Sequence, residues 1–214
     1  METSFQVWLG EQRSRTCVVN LKKNGFDAHW VTDVASAQDL ILPMLTDYES
    51  FGFGGSETVR KLGLVEHLTA QGKTVHDHWR PGISPQDSLA IRKSQLLSDC
   101  FFCSANAITM TGEIVNVDGA GNRTSAMAFG PKKVFIVAGM NKVTNDLPAA
   151  LQRIKDIAAP MRAKSLGMKT PCAETGVCSD CHSPQRICRI TTILHRQPML
   201  TPTTVILVNQ SLGF

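Results

Sequence analysis

The sequence predicts a three-layer α/β fold built on a mainly parallel β-sheet, and two observations carry that reading. Helical and strand-like stretches alternate through most of the 214 residues, the pattern of repeated βαβ units. The run "KKVFIVAG", residues 132–139, is continuously apolar, as a strand covered on both faces must be.

The elements follow in order. Phe5, Trp8, Leu9, Val18, Val19 and Leu21 recur at loosely helical spacing, and Asn24–Gly25 supplies a helix stop. "DAHWV" reads as a short strand, "DVASAQDLILPML" as a helix, and "ESFGFGGSETVRKLGL" as an apolar strand turning through glycines into another helix. "GLVEHLTAQG" is a short helix and "KTVHDHW" alternates like a strand. In "SPQDSLAIRKSQLLSDC" the N-cap is Ser84, Pro85 takes the first helical position and Asp87 lies in the first turn. "CFFCSANAIT" is expected as one buried strand, and "GEIVNVDGAGNR" as an alternating strand ending in a glycine turn. The helical pattern over 144–167 bends or restarts near Pro160. The last two strands are expected in "CRITTILHRQP" and "TTVILVNQSLGF". One domain over 1–214 accounts for all of this, with a cysteine-rich loop at 171–189 inserted late.

Composition narrows the function. With 43% hydrophobic and 19% charged residues and a net charge of +4, the chain lies in the ordinary globular range. Lys132, Lys133, Arg186 and Arg189 are too scattered to form a nucleic-acid stripe. No segment approaches the roughly 20 apolar residues of a membrane span, and the first residues hold no apolar run of secretory length. The expected location is cytoplasmic, where thiols stay reduced, so the seven cysteines point to metal or redox chemistry rather than to cross-links.

Two glycine turns stand where an open α/β sheet binds ligands. In "GFGGSE", Gly54, Gly55 and Ser56 are candidate anion or substrate contacts, the alternative being a tight turn. In "NVDGAGNR", Asp118 is a candidate acid or base, Arg123 a bidentate clamp for carboxylate or phosphate, and Asn122 a third polar group. An Asx-type turn with Arg123 in a surface ion pair is the alternative there. Ser104, Asn106 and Lys142 stand at or near expected strand ends and are candidates to converge on the same site. His76 and His78 share one strand face, a spacing compatible with metal but commoner on an exposed surface.

The stretch "PCAETGVCSDCHSPQRIC" spaces Cys172, Cys178, Cys181 and Cys188 as C-x5-C-x2-C-x6-C. A structural zinc site usually pairs two C-x-x-C knuckles, and this segment has one. The spacing is closer to the compact loops that hold a [4Fe–4S] cube in some DNA-repair glycosylases. A [4Fe–4S] cluster, zinc, and free or redox-switching thiols all remain open on these residues. His182 is a more distant candidate ligand, and "CFFC" at 100–103 reads as buried packing.

The segments "FGGSET", "SANAITMTGEIVNVDGAGNR", "FGPKKVFIVAGMNKV", "IAAPMRAKSLGMKTPCAETGVCSDCHSPQRICR" and "VILVNQSLGF" together closely resemble the LUD-domain family of lactate utilisation proteins. The resemblance is to its compact single-domain branch; the ferredoxin-like cysteine runs of the larger members are absent. It implies a fold like the sugar-phosphate isomerase and coenzyme A transferase group (NagB/RpiA/CoA transferase-like). It also implies redox metabolism of a small carboxylic acid such as lactate, with an iron–sulfur or flavin protein as redox partner. The alternative is a non-redox transferase or isomerase-like enzyme acting on a sugar phosphate or coenzyme A ester, with zinc stapling the loop. A non-catalytic subunit of an oxidase complex is a third reading.

Overall fold

The computed structural model describes residues 3–214. Helix α1 (Ser4–Lys23) begins at a capping box in which the Gln6 N–H donates to the Thr3 hydroxyl and the Thr3 N–H donates to the Gln6 side chain. Asn24 closes it, as the sequence predicts. There follow β1 (Asp27–Val31), α2 (Val34–Ile41), β2 (Ser50–Phe53), α3 (Glu57–Arg60), α4 (Leu64–Ala70), β3 (Thr74–Asp77), α5 (Pro85–Gln95) and β4 (Cys100–Cys103). The Ser84 hydroxyl accepts from the Asp87 N–H at the head of α5, with Pro85 in the first turn. The second half comprises β5 (Ala107–Thr109), β6 (Ile114–Asp118), α6 (Asn122–Ala128), β7 (Lys133–Gly139), β8 (Val143–Thr144), α7 (Leu147–Arg153), α8 (Ala159–Ser165), α9 (Pro171–Thr175), β9 (Ile190–Leu194) and β10 (Thr203–Val208).

Six strands form one sheet in the order β1-β10-β7-β4-β2-β3, and every neighbouring pair is parallel. Both faces are covered. Phe51, Phe53, Cys100, Phe102, Phe135, Val137, Ile206 and Val208 face the apolar residues of α2, α3 and α4. Phe101, Cys103, Val134, Ile136, Val205 and Leu207 face α1, α6 and the inner side of a second sheet. This double burial is why the strands read as unbroken apolar runs rather than as alternating ones.

The second sheet, β8-β5-β6-β9, is the main departure from expectation. "CFFCSANAIT" is two strands in two sheets. After Cys103 the Asn106 N–H turns to the Asn116 side-chain oxygen and the Val115 carbonyl, so the chain leaves the parallel sheet and pairs antiparallel with β6. "CRITTIL" likewise joins this sheet, antiparallel to β6, while "TTVILV" enters the centre of the main one. The helix that the sequence bends at Pro160 does so through a π-helical segment, Ile154–Ala158, between α7 and α8. Proline has no N–H to give the carbonyl four residues back, and the wider turn accommodates that lost bond. No helix among the described residues is long and apolar enough to cross a membrane.

The aromatic rings of Phe53, Phe102 and Phe135 stack across three adjacent strands, with centroids 5.1 and 4.8 Å apart. Phe102 is fully buried at the middle of that stack. Replacing Phe102 with Ala is expected to cost about 3–5 kcal/mol in urea unfolding. A loss below about 1 kcal/mol would show that the stack is not central to stability.

Candidate functional site at the strand switch point

Strand β2 passes the chain outward to β3, whereas β4 passes it the opposite way, through the second sheet, to β7. The two connections diverge, which leaves a crevice beyond the C-terminal ends of β2 and β4, the place where open α/β sheets take their ligands. A cleft of about 520 Å³ occupies that crevice. Its walls come from the turns after β2 and β4, the β6–α6 turn, α8, and the cysteine loop from Pro184 to Arg189.

Lys142 lies at the foot of the cleft, on the short 3₁₀ turn that follows β7, and is only 4% exposed. Its Nζ donates to Ser104 Oγ at 2.8 Å and to Thr58 Oγ1 at 3.1 Å. Thr58 in turn donates to the Leu212 carbonyl, which holds its hydroxyl in place. No carboxylate among the described residues pairs with this amine. Burial, followed by the positive charges of Arg153 and Arg123, pulls the Lys142 pKa down to about 7.

Arg123 is held on five sides. It donates to Asp118 Oδ1 from Nε (2.9 Å) and Nη2 (2.5 Å), to Asn106 Oδ1 at 3.1 Å and to the Val117 carbonyl at 2.9 Å. The remaining bond, from Nη1 to the Ser104 carbonyl, is long at 3.4 Å. The second oxygen of Asp118 accepts the Thr124 N–H at the first turn of α6, so both of its oxygens are occupied. Asp118 therefore aims Arg123 in this state of the site. Asn122 donates to the Gln95 side-chain oxygen. The amide of fully buried Gln95 meets the Phe53 and His76 carbonyls and His78 Nδ1. His78 is buried on the cleft wall, and burial pushes its pKa down to about 4. His76 and His78 are thus tied to Gln95.

The turn after β2 behaves less uniformly than its glycines imply. The Gly54 N–H already donates to the Phe102 carbonyl, and Gly54 is not on the cleft wall. Gly55 is on the wall because Trp79 stands against it: a Cβ there would meet the indole nitrogen at 2.6 Å. Ser56 Oγ accepts the Val59 N–H and caps α3. Trp79 carries the guanidinium of Arg162 over its ring at 4.7 Å.

Several cleft residues escape a reading of the sequence. Arg92, Arg162, Trp79 and Thr58 all line it, and Arg153 stands behind it, donating to the Asn106 and Asn141 carbonyls. Six cationic side chains (Arg92, Arg123, Lys142, Arg162, Arg186, Arg189) face two acidic ones (Glu57, Asp118) around the cleft. Asp118 is paired with Arg123, and Glu57 reaches Arg162 only at 3.7 Å. Burial lowers the pKa of Arg92, Arg153 and Arg162. The lining of the cleft therefore carries an excess of basic over acidic side chains, which gives it a positive potential.

The four cysteines of the late loop are half-buried and unbridged. Burial raises the Cys188 pKa, and the charges of Cys172, Cys178 and Cys181 raise it further, so each of those three thiols lies within electrostatic reach of Cys188. Among the described residues no three histidine, cysteine or acidic side chains are grouped as ligands of a single metal ion. Arg186 organises the loop by donating to the Cys181 and Cys188 carbonyls, at 2.8 and 2.7 Å, and to Asp180 at 2.6 Å. Cys188 also lines the cleft, which joins the loop to the cationic cleft wall. Cys100 and Cys103 differ in kind: both are fully buried, and burial lifts their pKa values to about 12, which fits a packing role.

A family model described as the LUD domain matches residues 15–208. The chain belongs to the LUD-domain family. No functionally curated protein is significantly similar to it. Among solved structures, this LUD protein is similar to a DUF162 family protein from Deinococcus radiodurans, with a TM-score of 0.54 and 13% identity over 93% of this chain and 98% of that one. At that identity the likeness speaks for the fold.

The buried lysine of this LUD protein has a thermodynamic signature. Its folded pKa of about 7 lies below the ordinary 10.5, so between those values the unfolded chain holds a proton that the folded chain lacks. Stability contributed at Lys142 is therefore full above pH 10.5, falls as pH drops toward 7, and is flat below. Lys142→Met is expected to be more stable than the parent by about 1 kcal/mol or more near pH 7. That advantage should shrink as pH rises toward 10, read from urea unfolding at a series of pH values. A pH-independent difference would contradict the burial argument.

Proposed function

We propose that this LUD protein binds a small carboxylic acid in the switch-point cleft, carries a [4Fe–4S] cluster on Cys172, Cys178, Cys181 and Cys188, and acts in the redox metabolism of that acid, with lactate as the model substrate. Residues 1–214 work as one LUD unit in this reading, with the loop at 171–189 as its redox appendage. The observation that carries it is the position of Cys188, which faces the cleft while lying within electrostatic reach of the other three thiols.

A tetrahedral zinc–thiolate site brings its sulfurs to about 3.8 Å of one another, from bonds of about 2.3 Å. A four-iron cube bridges a wider set of corners, and the C-x5-C-x2-C-x6-C spacing with its single C-x-x-C knuckle is what supports the cube over zinc in this reading. When bound, such a cluster accepts and passes on single electrons. The protein's own part is to seat the acid. Arg123 Nη1, whose bond to Ser104 is long, and Arg162, loosely paired with Glu57, are the guanidinium groups available to a carboxylate. Asp118 aims Arg123, Asn122 ties the turn to Gln95, and Ser104 and Asn106 fix the strand end. Oxidation of a 2-hydroxy acid releases a proton and a hydride: Lys142 Nζ, its pKa drawn down to about 7, is placed to take the hydroxyl proton, and the C–H hydrogen leaves with its electron pair to the flavin of a partner protein. An iron–sulfur or flavin protein is the onward partner.

The non-redox alternative, a sugar phosphate or coenzyme A ester with zinc in the loop, draws on the same cationic cleft and on the largely parallel sheet, which it takes as akin to that of the isomerase and transferase fold group. Anaerobic purification with iron, sulfide and zinc analysis separates the two. Iron with matching sulfide is expected, and Cys178→Ser should lose the iron while keeping the parent's far-UV circular dichroism. Zinc without iron would favour the alternative. Full iron in Cys178→Ser would remove Cys178 from the ligand set.

A further inference from the structure

Lys142 is placed for more than charge. A lysine in a protein interior normally faces a carboxylate, because a lone buried ammonium is among the costliest groups to desolvate. Here the two partners are hydroxyls, those of Ser104 and Thr58, and among the described residues no other group bonds to Nζ. The amine lines the cleft, and its electrostatic neighbours Arg123 and Arg153 are cations. Desolvation and neighbouring cations are the two devices that keep a lysine amine neutral and nucleophilic. Arg123 reaches the carbonyl of the same Ser104 whose hydroxyl holds Lys142. A guanidinium and an amine thus flank one residue, the arrangement needed to grip a carboxylate and attack the carbon beside it.

We propose that Lys142 forms an imine with the keto carbon of a 2-oxo acid bound in the switch-point cleft. This rests on the cleft being a carboxylate site and is independent of the cluster. The lone pair of Nζ adds to the keto carbon. Both amine hydrogens then leave with the keto oxygen as one water molecule, and a C=N double bond replaces C=O. No oxidant or reductant is consumed. The cleft is roomier than a three-carbon acid needs, and Ile154, Ala158, Leu166 and Met168 give it an apolar side. The substrate class therefore extends to 2-oxo acids with an aliphatic tail.

The test incubates the full-length protein with pyruvate or 2-oxohexanoate and cyanoborohydride, which delivers hydride to the imine carbon while water supplies the proton to nitrogen. Intact-mass spectrometry is expected to show a gain equal to the oxo acid less one oxygen atom, and peptide mapping should place it on Lys142. Lys142→Met should show no adduct above protein treated without oxo acid. Calorimetric titration with each oxo acid and with lactate, without reductant, separates the failures. Binding of the acids without a Lys142 adduct in the parent overturns the imine and leaves the carboxylate site standing. Absence of binding and adduct alike overturns both. An adduct mapped to other lysines, equal in parent and variant, also overturns the imine.

Discussion

Strand β4 cannot face water on either side, and the architecture follows from that. Cys100 and Phe102 point to one face, Phe101 and Cys103 to the other, and all four are fully buried. Burying side chains of this size is worth about 1.5–3 kcal/mol each for the large ones, so both faces must be covered. Helices α2 to α4 cover one. The other exceeds what α1 and α6 cover alone, and the small second sheet, with Ile108 and Ile114 facing inward, completes it. Because the chain leaves β4 to build that sheet and leaves β2 in the other direction, no backbone closes the gap between their ends. The site is the opening left by covering β4.

What fills the opening is an excess of basic side chains, restrained largely by carbonyl, amide and hydroxyl oxygens. Arg153 donates to the Asn106 and Asn141 carbonyls, and so braces both the strand end that carries Ser104 and the turn that carries Lys142. Arg123 is anchored by Asp118 and Asn106. Lys142 has hydroxyls only. A core residue of this volume would be more stable as an apolar chain, so the amine is retained at a cost to folding. Titratable groups displaced from their usual pKa by burial and by like charge in a cleft are where chemistry concentrates.

The α/β alternation, the cap at Ser84 and the bend near Pro160 were legible because each has a local cause: periodicity, a side-chain cap or a missing N–H. The second sheet was not. Nothing in "CFFCSANAIT" marks the change of sheet except Ser104 to Asn106, and the bonds that turn the chain there come from Asn116 and Val115, more than eight residues on. Helix α6 begins at Gly121 without a side-chain cap, which hid it in a glycine turn. In the site, Gly55, Ser56, Ser104, Asn106, Asp118, Asn122, Arg123, Lys142 and Cys188 do meet around one cleft, since strand ends and glycine turns announce themselves. Arg92 and Arg162 lie on helices, where an arginine reads as a surface residue until tertiary packing buries it.

The cysteine loop and the wall of the cationic cleft are mechanically one piece. Gly119 lets the β6–α6 turn press against the loop, since a Cβ there would stand 3.2 Å from the Ile187 carbonyl. The Arg189 N–H donates to the Asp118 carbonyl, and Arg186 ties the Cys181 and Cys188 carbonyls together one step earlier. Asp118 thus fixes Arg123 with its side chain and the end of the cysteine loop with its backbone. The backbone of Asp118 joins the loop to the turn that carries Arg123, whose guanidinium faces the cleft. Coupling of this kind needs no separate relay, because one residue belongs to both networks.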